Sequence, residues 1–168
     1  MEYRRANEVY EDVIGNIVDL GLVSYPEKSA KLEVLPLWKD KLVLICHPQN
    51  AFAKSKSIKL ADLPGQKFIA FEPDMPTRKA IDKILKQHNV TVQNVMEFDN
   101  IETVKRAVEI DAGISILPEN TIVQELAKKT LVAVEFRDDD FFRPSAAIYK
   151  KSRVLSPAMK QFLAMLKG

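Results

Sequence analysis

Reactive and metal-binding residues are scarce in this chain. Among 168 residues there are one cysteine, two histidines and five glycines. A single cysteine, Cys46, excludes an internal disulfide and suits a reducing compartment. It sits in the apolar run 42–46, where a buried, inert thiol is expected rather than a nucleophile. His47 and His88 have no partner at metal-ligand spacing and no paired acid, so neither reads as a metal ligand or a general base. The motifs G-x-S-x-G, H-E-x-x-H and C-x-x-C are missing, as is a glycine loop able to cradle phosphate. No catalytic, metal or cofactor site is therefore expected. Charge of one sign is missing too: 25 basic against 23 acidic residues, net +2, does not build a nucleic-acid-binding face. No apolar run reaches membrane-spanning length. The opening MEYRRANEVYED has no signal-like stretch, so cytoplasmic, soluble residence without a membrane is the expectation.

What is present is ordinary globular composition, 46% hydrophobic and 29% charged, in a chain long enough for one good core or two small ones. The most informative stretch is MEFDNIETVKRAVEIDAGISILPE, residues 96–119. A strand over 95–98 leads to Asp99 and Asn100. Ile101, Val104, Ala107 and Val108 then recur at helical spacing up to Gly113, and a buried strand over 114–117 stops at Pro118. Asp99 and Glu102 read as a helix start, because each can satisfy first-turn N–H groups. Strand, helix and strand in about 20 residues form a crossover between parallel strands. Such units place helix N-termini at the carboxyl edge of a sheet, where anions and polar ligands bind.

Elsewhere, residues 7–15 should be helical, with Val9, Tyr10, Val13 and Ile14 as the apolar stripe and Asn16 left-handed behind it. Residues 2–5 read as a strand end, and 18–23 as a strand buried on both faces of a parallel sheet. Further strands are expected at 32–37, 41–47, 68–71, 131–136 and 146–150. A helix over 77–88 should be capped by Asp74 or Thr77, with Pro76 in its first turn. Its Ile81, Ile84 and Leu85 should face inward, and Arg78, Lys79, Lys83 and Lys86 outward. A helix near 119–129 should bury Ile122, Val123 and Leu126. The last, from Ser156-Pro157, should bury Met159, Phe162, Leu163 and Leu166. Asp138-Asp139-Asp140 reads as a hydrated turn rather than a cation site, since no other oxygen donors stand at fixed spacing.

Several segments, taken in order, resemble the effector-binding region of LysR-type transcriptional regulators. They are VIGNIVDLGLVSYP (13–26), LPLWKDKLVLICHP (35–48), IKLADLPGQKFIAF (58–71), 76–82, VEIDAGISILP (108–118) and 156–166. The resemblance covers nearly the whole chain and rests on order and spacing. Residues 7–26 are similar to regulators of sulfur assimilation or carbon fixation. The resemblance implies an α/β fold of two small Rossmann-like lobes joined by two crossover strands, as in type II periplasmic binding proteins. Lobe I would hold 1–43 plus 151–168, and lobe II 44–150. The family's winged helix–turn–helix module, linker helix, and first strand and helix of the regulatory region have no counterpart here. Lobe I is thus expected to be incomplete, and DNA binding to lie outside this chain. Family domains pair antiparallel, with the strand at 2–5 in that surface, which implies a homodimer or tetramer that is altered or weakened here. Asn16 stands where the family usually has Gly, a tolerable swap because both adopt positive φ.

The family's ligand positions include hydroxyls that Ser24 and Thr77 match. With Tyr25, Met75, Arg78, Asn100 and Ile101 they make up the candidate effector-binding residues. The implied ligand is a small carboxylate or other oxyanion, held between the lobes by free N–H groups and positive helix ends. Helix capping is the other reading of Thr77 and Asn100, and the two are compatible. Arg78 reads more as a solvated cation than as an anion clamp; Phe71 and Tyr25 read as core, and Trp38 as packing near the hinge. The expected function is sensing of a metabolite that biases DNA binding by an N-terminal module. Two other classes stay open. A transporter's solute-binding protein needs a signal sequence or lipid-anchor cysteine, and an enzyme of prephenate dehydratase-like or deaminase-like fold needs a catalytic constellation.

Overall fold

In a computed structural model that describes residues 4–167, the elements run in chain order as follows. The first are α1 (Ala6–Ile14), β1 (Gly21–Ser24), β2 (Leu32–Cys46) and β3 (Ser57–Ile58). Next come β4 (Lys67–Phe71), α2 (Pro76–Gln87), β5 (Gln93–Phe98), α3 (Ile101–Glu109) and β6 (Ser115–Pro118). The last are α4 (Val123–Lys128), β7 (Val132–Phe136), β8 (Phe142–Lys150) and α5 (Pro157–Lys167). The chain divides into two compact units: one runs to Lys39 and resumes at Arg143, and the other is Asp40–Phe142. The expected second lobe was 44–150. Most of β8 falls in the first unit because its ladder partner, β1, lies there.

In the first unit the stripe of α1 packs as its spacing dictates. Val13 joins Val23, Leu32 and Ile148 in a small core, with Val9, Tyr10 and Ile14 against it. Asn16 has φ 58°, the left-handed turn expected after the helix. Gly21 leaves room for the helix, since a Cβ there would lie 2.5 Å from Val9 Cγ1. The strand is shorter than 18–23 because Ile17 and Val18 still donate to the Asp12 carbonyl, at 2.8 and 3.3 Å, and finish the helix turn. It pairs antiparallel with β8, Ser24 opposite Ser145, rather than in a parallel sheet. Val23 is buried but Leu22 is 39% exposed, so only one face is covered. The expected strand at 2–5 falls partly on Glu2 and Tyr3, outside the described residues. Arg5 is the N-cap of α1 and Arg4 pairs with Asp12, so neither belongs to a strand. In α5, Ser156 Oγ accepts the Met159 N–H at 3.2 Å as expected. Leu163 is buried, whereas Phe162 is 46% exposed.

The two strands expected at 32–37 and 41–47 are one, β2, because no turn forms between them; Asp40 is instead bonded by the Asn120 amide. In the second unit β2 pairs antiparallel with β6 and β7, and β7 parallel with β3. β4 and β5 are parallel, Lys67 opposite Gln93 and Phe71 opposite Phe98. A parallel bridge, Phe68 to Ile114, ties β4 to the start of β6. Hence β5 and the approach to β6 both run parallel to β4, the crossover the sequence predicts. Gly113 makes this close approach possible, since a Cβ there would lie 2.6 Å from the Lys67 carbonyl oxygen. Leu44, Ile45, Phe68, Ile69, Ile81, Val104, Val108, Ile114, Leu117 and Val134 form the core. Each such side chain contributes roughly 1.5–3 kcal/mol on burial, so this core is the main source of rigidity under the helix starts. The helix near 119–129 is a 3-10 turn over Glu119–Thr121 followed by α4. The change of pitch at Ile122 rotates the face, so Ile122 and Glu125 are buried while Val123 is 61% exposed. Among the described residues no helix is long and apolar enough to cross a membrane.

Candidate functional site

The site is built where β4 and β5 end. The Glu72 N–H donates to the Phe98 carbonyl at 2.9 Å, continuing the ladder to the last residue before each loop. Two helices then start from adjacent parallel strands at one sheet edge, and their first turns differ.

Met75 is the N-cap of α2, in extended backbone, with no side-chain cap and Pro76 following it. Thr77 lies inside the helix rather than at its N-cap. The methionine side chain packs on the core instead. Thr77 is 7% exposed. Met75 itself thus offers no side-chain oxygen to the first turn of α2, whose N-terminus is a positive helix end suited to an anion.

Arg78 overturns the expectation of an outward, solvated cation; its residue exposure is 9%. Nη1 donates to the Phe71 carbonyl at 2.6 Å and to Glu97 Oε1 at 2.7 Å, and Nε donates to both oxygens of Asp82 at 2.9 Å. Burial alone would lower its pKa, but the bonds to Glu97 and Asp82 prevail and the shift is upward. A guanidinium spent on two carboxylates is no free anion clamp.

At α3 the N-cap is Asn100, rather than Asp99 or Glu102. Its Oδ1 accepts from both the N–H and the hydroxyl of Thr103 at 2.9 Å, and its Nδ2 donates to Asp99 at 2.8 Å. Ile101 packs against the core. Glu102 turns to Lys105, whose burial periodicity alone did not reveal. Lys105 Nζ meets Glu102 at 2.8 Å, Glu125 at 3.0 Å and the Thr121 carbonyl at 3.1 Å, with both Lys105 and Glu125 5% exposed. Burial opposes charge on both groups, yet their pairing raises the Lys105 pKa and lowers that of Glu125.

Ser24 and Tyr25 belong to the first unit. Ser24 lines a hollow of about 180 Å³ together with Leu22, Trp38, Arg143 and Ser145. Sequence spacing could not find Arg143 or Ser145, which reach Ser24 only through the β1–β8 register. Trp38 is 40% exposed, more open than packing near a hinge implies. Tyr25 takes a left-handed backbone, φ 51°, and its N–H donates to the Pro144 carbonyl at 2.8 Å. Its hydroxyl is buried without a hydrogen-bond partner. Burial pushes the phenol up to about 12 despite the Arg143 charge, so it stays protonated.

Cys46, Asp138 and Asp140 are in local use. Cys46 is fully buried and its thiol is pushed up to about 11, chiefly by burial and further by Asp111, in keeping with an inert side chain. Asp138 accepts the Leu60 N–H at 2.7 Å and Asp140 pairs with Lys41 at 2.9 Å.

Comparison with known proteins gives a consistent picture. Residues 2–168 match the family model described as LysR substrate binding domain. A RuBisCO operon transcriptional regulator of Acidithiobacillus ferrooxidans is 30% identical over 156 residues, 93% of this chain and 50% of that protein. The chain spans about half the length of the curated relatives it matches. Among solved structures, the effector binding domain of QuiR in complex with shikimate is similar at TM-score 0.85 and 25% identity. It is matched over 97% of this chain and 77% of that one. The regulatory domain of Synechocystis PCC6803 CcmR in complex with 2-PG is similar at TM-score 0.86 and 26% identity, over 97% and 78%. These likenesses identify the two-lobed, periplasmic-binding-protein-like α/β fold.

Proposed function

From the premise that the chain belongs to the LysR substrate binding domain family, we propose that it is the effector-sensing part of a longer transcriptional regulator. The effector is a small organic acid or oxyanion. Thr77, Met75 and the start of α2 bind its charged group, and Asn100 and Ile101 supply the neighbouring wall. In the first unit, Ser24 and Tyr25 are the candidate effector-contacting residues. Arg78 supports the α2 start rather than touching the ligand. The observation that carries this reading is the asymmetry of the two helix starts: α3 is capped by Asn100, whereas α2 begins on a methionine that offers no acceptor. Shikimate and 2-PG, named for two structural relatives, are both organic acids, which supports the ligand class.

Binding biases a DNA-binding winged helix–turn–helix module elsewhere in the polypeptide, in a homodimeric or tetrameric cytoplasmic regulator. Such bias requires unequal affinity for two arrangements of the protein, typically ~1–3 kcal/mol of coupling. Calorimetric titration with 2-phosphoglycolate and with shikimate is the test. One of these, or a related small acid, should bind, and Thr77→Val should weaken it about tenfold with the unfolding temperature unchanged. Failure of every small acid to bind, or undiminished binding by Thr77→Val, refutes the assignment.

A further inference from the structure

We propose that Arg78 is a positioning residue: its guanidinium sets the spacing of the β4 and β5 carboxyl ends, and with it that of the two helix starts. The inference rests on the reading above only in giving that spacing a purpose. Among the described residues β5 has one hydrogen-bonded neighbour, β4, and its side chains are largely exposed. The ladder is also irregular, shifting register between Phe68 and Ile69. The ladder with β4 and Phe98 packed on the core hold the end of β5, where Asp99 and Asn100 precede α3, and side-chain contacts add to them. Arg78 supplies one across the strands, because a single nitrogen, Nη1, bonds the last carbonyl of β4 at Phe71 and the Glu97 carboxylate of β5. Asp82, one turn along α2, holds Nε and fixes the plane of the fork. Only a planar donor fork reaches these three partners together; an ammonium at this position keeps the charge but loses the geometry.

A plain helix-stabilising role predicts something else. It places the value of Arg78 in the Asp82 pair on its own helix, four residues away. The strut places it in Glu97, on another element. Two amides report the difference without any ligand: Glu72 N–H, which bonds Phe98, and Thr103 N–H, which bonds Asn100.

The experiment is native-state hydrogen exchange of the full chain by NMR, comparing Glu97→Gln, Arg78→Lys and Asp82→Asn. Glu97 is partly exposed, 40% at its side chain, so its variant is expected to fold. Glu97→Gln and Arg78→Lys should speed exchange at Glu72 and Thr103 about tenfold, with β2 and β6 amides unchanged and Asp82→Asn near wild type. Exchange at those two amides within twofold of wild type in Glu97→Gln overturns the proposal, as does equal acceleration everywhere. A second arm measures 2-phosphoglycolate affinity, which Glu97→Gln should lower at constant unfolding temperature. If no acid binds the wild type, the function reading fails while the exchange result still decides the strut.

Discussion

The starts of α2 and α3 stand on neighbouring strands of one sheet and solve the same problem in opposite ways. Each leaves backbone N–H groups that a side chain, solvent or a ligand must satisfy. At α3, Asn100 does so from within the chain. At α2, Met75 cannot, and the charged residue that could have drawn an anion, Arg78, is bound to two carboxylates and a carbonyl. A start capped by its own N-cap residue is a finished structural element, whereas one whose N-cap residue offers no acceptor is suited to binding. The positive end of α2 comes from the backbone rather than from a mobile cation, which favours selection of small ligands by shape.

The largest effect should come from cutting the anchor of the capped helix. Lys105→Met leaves Glu125 buried without its partner and should cost about 3–5 kcal/mol in denaturant unfolding, while adding Glu125→Leu should recover much of the loss. The same pair sets the acid response. The Glu125 pKa is lowered in the folded state, so its contribution is present above the ordinary value of 4.5 and is lost as pH falls through the folded value. Wild type should lose stability more steeply below that pH than Lys105→Met, as denaturation at stepped pH would reveal.

Next in size, Asn100→Ala should cost about 1 kcal/mol of stability by removing the cap. Because that side chain is occupied in capping, affinity for the effector should change less than threefold, measured by calorimetry. Smaller still is the reciprocal change. Met75→Asn puts an acceptor at the N-cap of α2, a gain of roughly 0.5–1 kcal/mol partly offset by lost apolar contact. The new cap should compete with the ligand, so binding weakens although the helix does not. If Met75→Asn binds as tightly as wild type, the contrast between the two starts has no functional meaning.

Which parts of this were legible in the sequence follows from the range of the interactions involved. The face of α3 was readable because Val104, Ala107 and Val108 repeat at helical spacing, and the left-handed Asn16 because a local rule governs helix ends. Arg78 and Lys105 were not, since charge in an amphipathic pattern points outward by default and their partners are distant. Glu97 and Glu125 lie on other elements, 19 and 20 residues away. Strands expected separately at 32–37 and 41–47 form the single β2, since no turn residue between them enforces a break. The shortening of β1 depended on the Asp12 carbonyl holding Ile17 and Val18, a bond without a composition signal.

Amide chemical-shift mapping during titration with 2-phosphoglycolate and shikimate is the most direct test of the central claim. The Thr77 and Arg78 amides should move on saturation while Thr103, already bonded to Asn100, stays nearly still. Shifts that leave Thr77 and Arg78 untouched, at ligand levels that saturate the protein, would contradict it.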